Sequence, residues 1–169
     1  MPIKRRLKQL AARYIGEKRQ IDTYYLPIGR PHKANKGTVL RTRYDSLTGK
    51  ARLELHMATN DFASYEYEVD VSDYQKIQKI LKEMKFCPEF VINKHRQVYQ
   101  KGQLEIVLDT VKRLGKFIEV ELQGKDTAEN RRRVTNFMLS LGAQPKDLII
   151  GIHYNGLMLR VLGKKYAYF

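Results

Sequence analysis

Two pairs of glutamates, Glu66/Glu68 and Glu119/Glu121, and two pairs of cations, Arg41/Arg43 and Lys94/Arg96, are each spaced as alternate residues. Paired carboxylates are the oxygen donors that hard divalent cations take, and paired Arg or Lys side chains grip phosphate oxygens. Each pair falls in a segment that reads as a β-strand, so its two side chains point to one face. Four strands that each commit two like charges to one face imply a cavity lined by metal-binding and phosphate-binding charge. Asp109 lies one hairpin before Glu119 and Glu121 and would make a third carboxylate around a cation. The competing structural readings are a solvated sheet face for the cations and neutralising cross-strand pairs for Glu66 and Glu68.

The elements that must position these residues follow from periodicity. Ile3, Leu7, Leu10, Ala11 and Tyr14 predict one apolar side of a helix over 3–14, with Gly16 as its stop. Strands are predicted at about 18–25, 38–44, 51–57 and 65–71, then a helix from Ser72 or Asp73 to about 85 carrying Tyr74, Ile77, Ile80, Leu81 and Met84. The second half repeats the scheme, with strands at 90–99, 104–110 and 116–122 and a helix at 128–141 ended by Gly142. Short connections make the sheet largely antiparallel, and the order of elements predicts an α+β fold. No Pro/Gly/Ser-rich linker divides the 169 residues, so 1–169 reads as one domain with 161–169 as an extra C-terminal segment.

Thirty-two Lys and Arg against eighteen Asp and Glu give a formal charge of +14, which points to a phosphate-rich partner: a nucleotide, a polyphosphate or RNA. Residues 1–60 carry fourteen of the cations against four acids, so the first third is the expected contact surface. Lys4, Arg5, Arg6, the loop lysines Lys33 and Lys36, and the run Arg131, Arg132, Arg133 are the candidate RNA contacts, although solvated solubility patches explain each cluster singly. One cysteine, Cys87, excludes an intrachain disulfide, and no apolar run approaches a membrane span or a signal peptide; a cytoplasmic protein with no membrane partner is expected. Gly29-Arg30-Pro31 and Gly115-Lys116 lack the spacing of a phosphate-binding loop, and no zinc-finger or two-helix DNA reader is present.

Taken in order, Gln20-Ile21-Asp22-Thr23-Tyr24-Tyr25, Leu40-Arg41-Thr42-Arg43, Tyr65-Glu66-Tyr67-Glu68-Val69, Lys94-His95-Arg96, Leu108-Asp109-Thr110-Val111, Leu114-Gly115 and Phe117-Ile118-Glu119-Val120-Glu121 resemble the CYTH family. That triphosphate-tunnel group contains class IV adenylyl cyclases and thiamine triphosphatases; Leu141-Gly142, Asp147-Leu148-Ile149 and Tyr154 extend the likeness to the cyclase-like branch. The resemblance implies a closed antiparallel tunnel flanked by helices. In it Arg41, Arg43, Lys94 and Arg96 match phosphate ligands, Glu66, Glu68, Asp109, Glu119 and Glu121 match the acidic set, and Glu119 and Glu121 match ligands of Mg²⁺ or Mn²⁺.

The chain departs from the family pattern at three places. It opens at the helix that normally follows an acidic first strand, as though the barrel were incomplete or the chain began upstream. His56 and Met57-Ala58 replace a lysine and a Gly-Pro, and Ile152-His153 replaces a lysine and a serine. An exposed sheet edge would follow, which either 157–162 or 165–169 would fill unless that segment anchors a partner; a homo-oligomer would fit the same edge. These departures favour a noncatalytic or catalytically weakened phosphate-binding module that associates with RNA or a ribonucleoprotein and, as a binding module, needs no cofactor. The alternative is a Mg- or Mn-dependent triphosphatase or adenylyl cyclase acting on ATP, a polyphosphate or another triphosphate.

Overall fold

The computed structural model describes residues 3–29, 38–60, 63–150 and 152–163. A short helix α1 (Ile3–Gln9) is followed by β1 (Arg13–Pro27), β2 (Thr38–Asp45), β3 (Ala51–Asn60) and β4 (Ala63–Val71). Helix α2 (Tyr74–Glu83) leads to β5 (Phe86–Lys101), β6 (Leu104–Val111) and β7 (Gly115–Leu122), then to α3 (Ala128–Ser140) and α4 (Tyr154–Val161). The seven strands form one antiparallel sheet in the order β4-β3-β2-β1-β5-β6-β7. Two meanders therefore run outward in opposite directions from a central β1–β5 pair. The α+β class and the strand alternation agree with the sequence reading.

Four expectations need correction. Helix α1 stops at Gln9, because Ala11 takes a left-handed φ of 56° and turns the chain into β1. Tyr14 and Gly16 accordingly belong to β1, which starts five residues before the predicted Lys18 because it pairs with β5 back to Arg13. The resemblance implies a closed tunnel, but among the described residues β4 and β7 are unpaired edges and the sheet is an open trough. Residues 157–162 do not add a strand to it: 157–161 lie in α4 and Leu162 caps that helix. Residues 165–169, like Lys33 and Lys36, lie outside the described residues.

Alternation divides the sheet into a convex and a concave face. On the convex face, Leu7 of α1, Phe137 of α3 and Leu141, which caps α3, bury Tyr99, Leu104 and Ile106 of β5 and β6, with Ile118, Val120 and Leu122 of β7 alongside. Gly142 ends α3 at φ 95°, a conformation that favours glycine, and the Arg6 guanidinium occupies the space a β-carbon would need. Helix α2 is capped by the Asp73 carboxylate, which accepts the Lys76 N–H at 2.8 Å, and Tyr74 stacks on Tyr44 at 5.0 Å. Replacing Asp73 by alanine should cost about 1 kcal/mol, read as a lowered urea midpoint with an unchanged slope.

On the concave face, α4 covers the apolar half of the trough. Tyr154 and Met158 pack with Tyr24, Ile92 and Val111, and Val39, Phe90, Phe117, Leu157 and Leu162 close the cluster. One step further along β2, β1, β5, β6 and β7 the inward side chains change from apolar to charged. No described helix is long and apolar enough to cross a membrane.

Candidate functional site in the concave trough

The charged half of the trough is built on the register of β2, β1 and β5. Arg43 stands opposite Asp22, Arg41 opposite Tyr24, and Asp22 opposite Ile92 with Lys94 one inward position along. Asp22 thus sits at the centre of three cations. Its carboxylate accepts the Arg43 Nε and Nη2 hydrogens at 2.8 and 2.9 Å, lies 3.1 Å from Lys94 Nζ and 3.9 Å from Arg41 Nη1, and is fully buried. Burial by itself would raise its pKa, but Lys94, then Arg43 and Arg41, hold it far below the usual carboxylate range.

Glu54 of β3 supplies the second buttress. Arg41 Nε donates to it at 2.6 Å, and Arg43 Nη1 approaches its other oxygen at 3.3 Å. Its burial is outweighed by the His56 contact and by Arg41 and Arg43, so its pKa falls to about 2. His56 lies 3.0 Å from Arg41 Nη2, 3.4 Å from Glu54 and 3.1 Å from Glu66; burial and Arg41 would lower its pKa, but the Glu54 and Glu66 carboxylates raise it. Lys94 shows the opposite balance: desolvation, helped by Arg43, Arg96 and Arg41, outweighs Asp22 and brings it down to about 8.

A third buttress lies on β6 and β7. Arg96 donates to both Asp109 oxygens and, at 2.5 Å, to Glu119. The Tyr154 hydroxyl donates to Asp109 at 3.0 Å, so α4 is tied to this cluster as well as to the apolar floor. All four cations expected from the sequence therefore share the concave face, with side chains 2–15% exposed.

The acids divide differently from the expectation. Asp109 and Glu119 converge on the Arg96 guanidinium, Glu68 pairs with the half-exposed Arg52 at 2.8 Å, and Glu66 contacts His56. Among the described residues no group of three or more His, Cys, Asp or Glu is arranged to hold a metal ion. Glu121 is the exception to internal pairing: desolvation and then the negative fields of Glu119, Glu105 and Glu66 raise its pKa, with Arg96 opposing. A carboxylate crowded by like charge fits the donor chemistry of a hard divalent cation, with Glu119 beside it. A three-carboxylate cage including Asp109 does not fit, because Arg96 and Tyr154 engage both Asp109 oxygens.

The surface clusters lie elsewhere. Lys4 and Arg5 are exposed on α1, while Arg6 is packed against Gly142; Arg131 is held by Asp126, and Arg132 and Arg133 are exposed on α3. Sequence reasoning gave no role to Asp22 and Glu54, two of the three buried buttresses. Their signal was the same alternation used for the other pairs: Gln20, Asp22 and Tyr24 share one face, as do Arg52, Glu54 and His56.

A family model for the CYTH domain matches residues 2–149. A Methanocaldococcus jannaschii protein provisionally named an adenylate cyclase is 30% identical over 155 residues, covering 88% of this chain and 86% of its own. A Pyrococcus horikoshii structure superposes with a TM-score of 0.79 at 24% identity, over 90% of this chain and 89% of that one. A provisionally named adenylyl cyclase from Hippeastrum, described as having a dominant triphosphatase activity, superposes at 0.66 with 14% identity over 98% and 92% of the two chains. At those identities the two structures establish likeness of fold.

Proposed function

The chain belongs to the CYTH family and is related to its adenylate-cyclase-like members, and on that premise we propose that the trough binds a linear triphosphate with its divalent cation and releases the terminal phosphate to water. The observation that carries this reading is the row Arg41, Arg43, Lys94 and Arg96 on β2 and β5, each braced by a buried carboxylate. Bracing fixes each cation before a ligand arrives, so phosphate oxygens meet donors that need little reorganisation. A divalent cation held there would supply Lewis-acid polarisation of the phosphate oxygens. Glu119 and Glu121 are the residues that would hold it.

Hydrolysis is favoured over cyclisation by the position of α4. Cyclisation needs the ribose of ATP held over its own phosphates, and the apolar half of the trough that would receive the base is filled by Tyr154, Met158, Leu157 and Leu162. The Hippeastrum relative, for which a triphosphatase activity is described, supports the same choice. RNA association, expected from the chain's charge, gains no support from the trough, whose cations are enclosed with side chains only 2–15% exposed.

The test measures products from tripolyphosphate and from ATP in Mg²⁺ or Mn²⁺. Orthophosphate is expected from tripolyphosphate, with no cyclic nucleotide from ATP, and Arg41→Gln should lower turnover about tenfold through the loss of one charged hydrogen bond. Cyclic AMP as the main product would replace this reading with the cyclase. No product from either, with no tripolyphosphate binding by calorimetry, would end the trough reading.

A further inference from the structure

The convex face carries a second cationic surface, whose groove shares Lys94 with the trough but whose exposed cations are others. The strand register lines up outward positions on four adjacent strands: Arg19 of β1 is opposite His95 of β5, His95 opposite Thr110 of β6, and Thr110 opposite Lys116 of β7. With neighbouring strands about 4.8 Å apart, the row is roughly 14 Å long. Around its centre lies an open groove of about 390 Å³ lined by Arg19, Ser46, Asn93, His95, Thr110 and Lys112 together with Gln20, Ile21 and Lys94.

The charge state of this row separates it from the trough. Each trough cation rests on a carboxylate, whereas Arg19, Lys112 and Lys116 are exposed and form no ion pair among the described residues. Two acids border the row, and neither contacts Arg19, Lys112 or Lys116 through a side-chain ion pair. Glu17 is 3.0 Å from His95, and Asp45 accepts the backbone N–H groups of Arg19 and Leu47. An incoming polyanion meets three cationic side chains that pair with no carboxylate among the described residues and releases its own counterions, the main source of affinity for a nucleic-acid backbone.

We propose that this convex groove binds the sugar-phosphate backbone of single-stranded RNA without regard to base sequence. Its length along one row suits a single strand. No Tyr, Phe or Trp lines it, so bases have no ring to stack on and only the backbone is read. Ser46, Asn93 and Thr110 place neutral donors and acceptors among the cations, a mixture suited to ribose 2′-hydroxyls as well as phosphates.

The experiment is fluorescence anisotropy of a labelled twelve-nucleotide oligouridine with the full chain between 50 and 200 mM KCl. Three phosphate contacts predict a log–log salt slope of about −2 for a single strand. The triple variant R19Q/K112Q/K116Q, folded by circular dichroism, should bind at least tenfold more weakly with a flattened slope; R132Q/R133Q on α3 should bind as the wild type. Oligodeoxyuridine should bind more weakly than oligouridine. Undiminished binding by the triple variant, or equal loss in R132Q/R133Q, would overturn the site. Tighter capture of long-chain polyphosphate than of RNA, lost in the same triple variant, would overturn the ligand. Absence of tripolyphosphate turnover leaves every one of these outcomes readable, so the two proposals fail separately.

Discussion

Asp22→Ala should lose about 3–5 kcal/mol of folding stability, measured by urea unfolding at pH 7, because it leaves Lys94, Arg43 and Arg41 facing one another without their shared counter-ion. Lys94 is the most enclosed of the three, with a side chain 2% exposed, and cannot turn to water. Asp22→Asn tests the charge with little change of shape and should lose most of the same stability. A loss below about 1 kcal/mol would mean that the cations relax into solvent and that Asp22 does not hold the trough together.

The same residue sets an acid limb. Asp22 and Glu54 have folded pKa values below their ordinary 3.8 and 4.5, so their contribution is complete above those ordinary values. It is lost as pH falls from about 4.5 toward 2, where the unfolded chain binds more protons than the folded one. Stability of the wild type should decline across that window, and Asp22→Asn should decline less steeply.

How far the sequence revealed this arrangement can be argued from single positions. Period-two spacing put Arg41, Arg43, Lys94 and Arg96 on common strand faces, and one face per strand pointing inward follows from any curled sheet. What spacing cannot supply is which strands are neighbours. Asp22 matters because β1 lies between β2 and β5, a pairing across some seventy residues of sequence that brings Arg43 and Lys94 to the same carboxylate. Likewise Asp109 reads as a metal ligand while only Glu119 and Glu121 are considered beside it, and becomes the partner of Arg96 once β5 and β6 pair. Leu157, Met158 and Leu162 read equally well as a closing strand or a helix, since a short apolar run does not discriminate between them. The apolar half of the concave face, from Tyr24, Ile92 and Val111, decides for a helix, whose broad side covers more surface than one added strand.

Lys94 should make triphosphate binding fall with rising pH while the fold grows more stable. Its pKa near 8 in the free protein means that it is mostly charged at pH 7 and loses its proton above 8, whereas a bound triphosphate favours the charged form. Tripolyphosphate affinity, relative to that of Lys94→Arg at each pH, should therefore drop about tenfold per pH unit above 8 until the liganded lysine also titrates. Taking the ratio to the arginine variant removes the ligand's own protonation, because arginine stays charged throughout. Stability runs the other way. The unfolded lysine titrates at 10.5, so between about 8 and 10.5 the unfolded state holds more protons and the free energy of unfolding rises with pH. Opposite slopes in calorimetric binding and urea unfolding would tie both effects to one ammonium group beside Asp22, since general alkaline loosening lowers affinity and stability together. A flat affinity ratio from pH 7 to 10 would remove Lys94 from the phosphate-binding row.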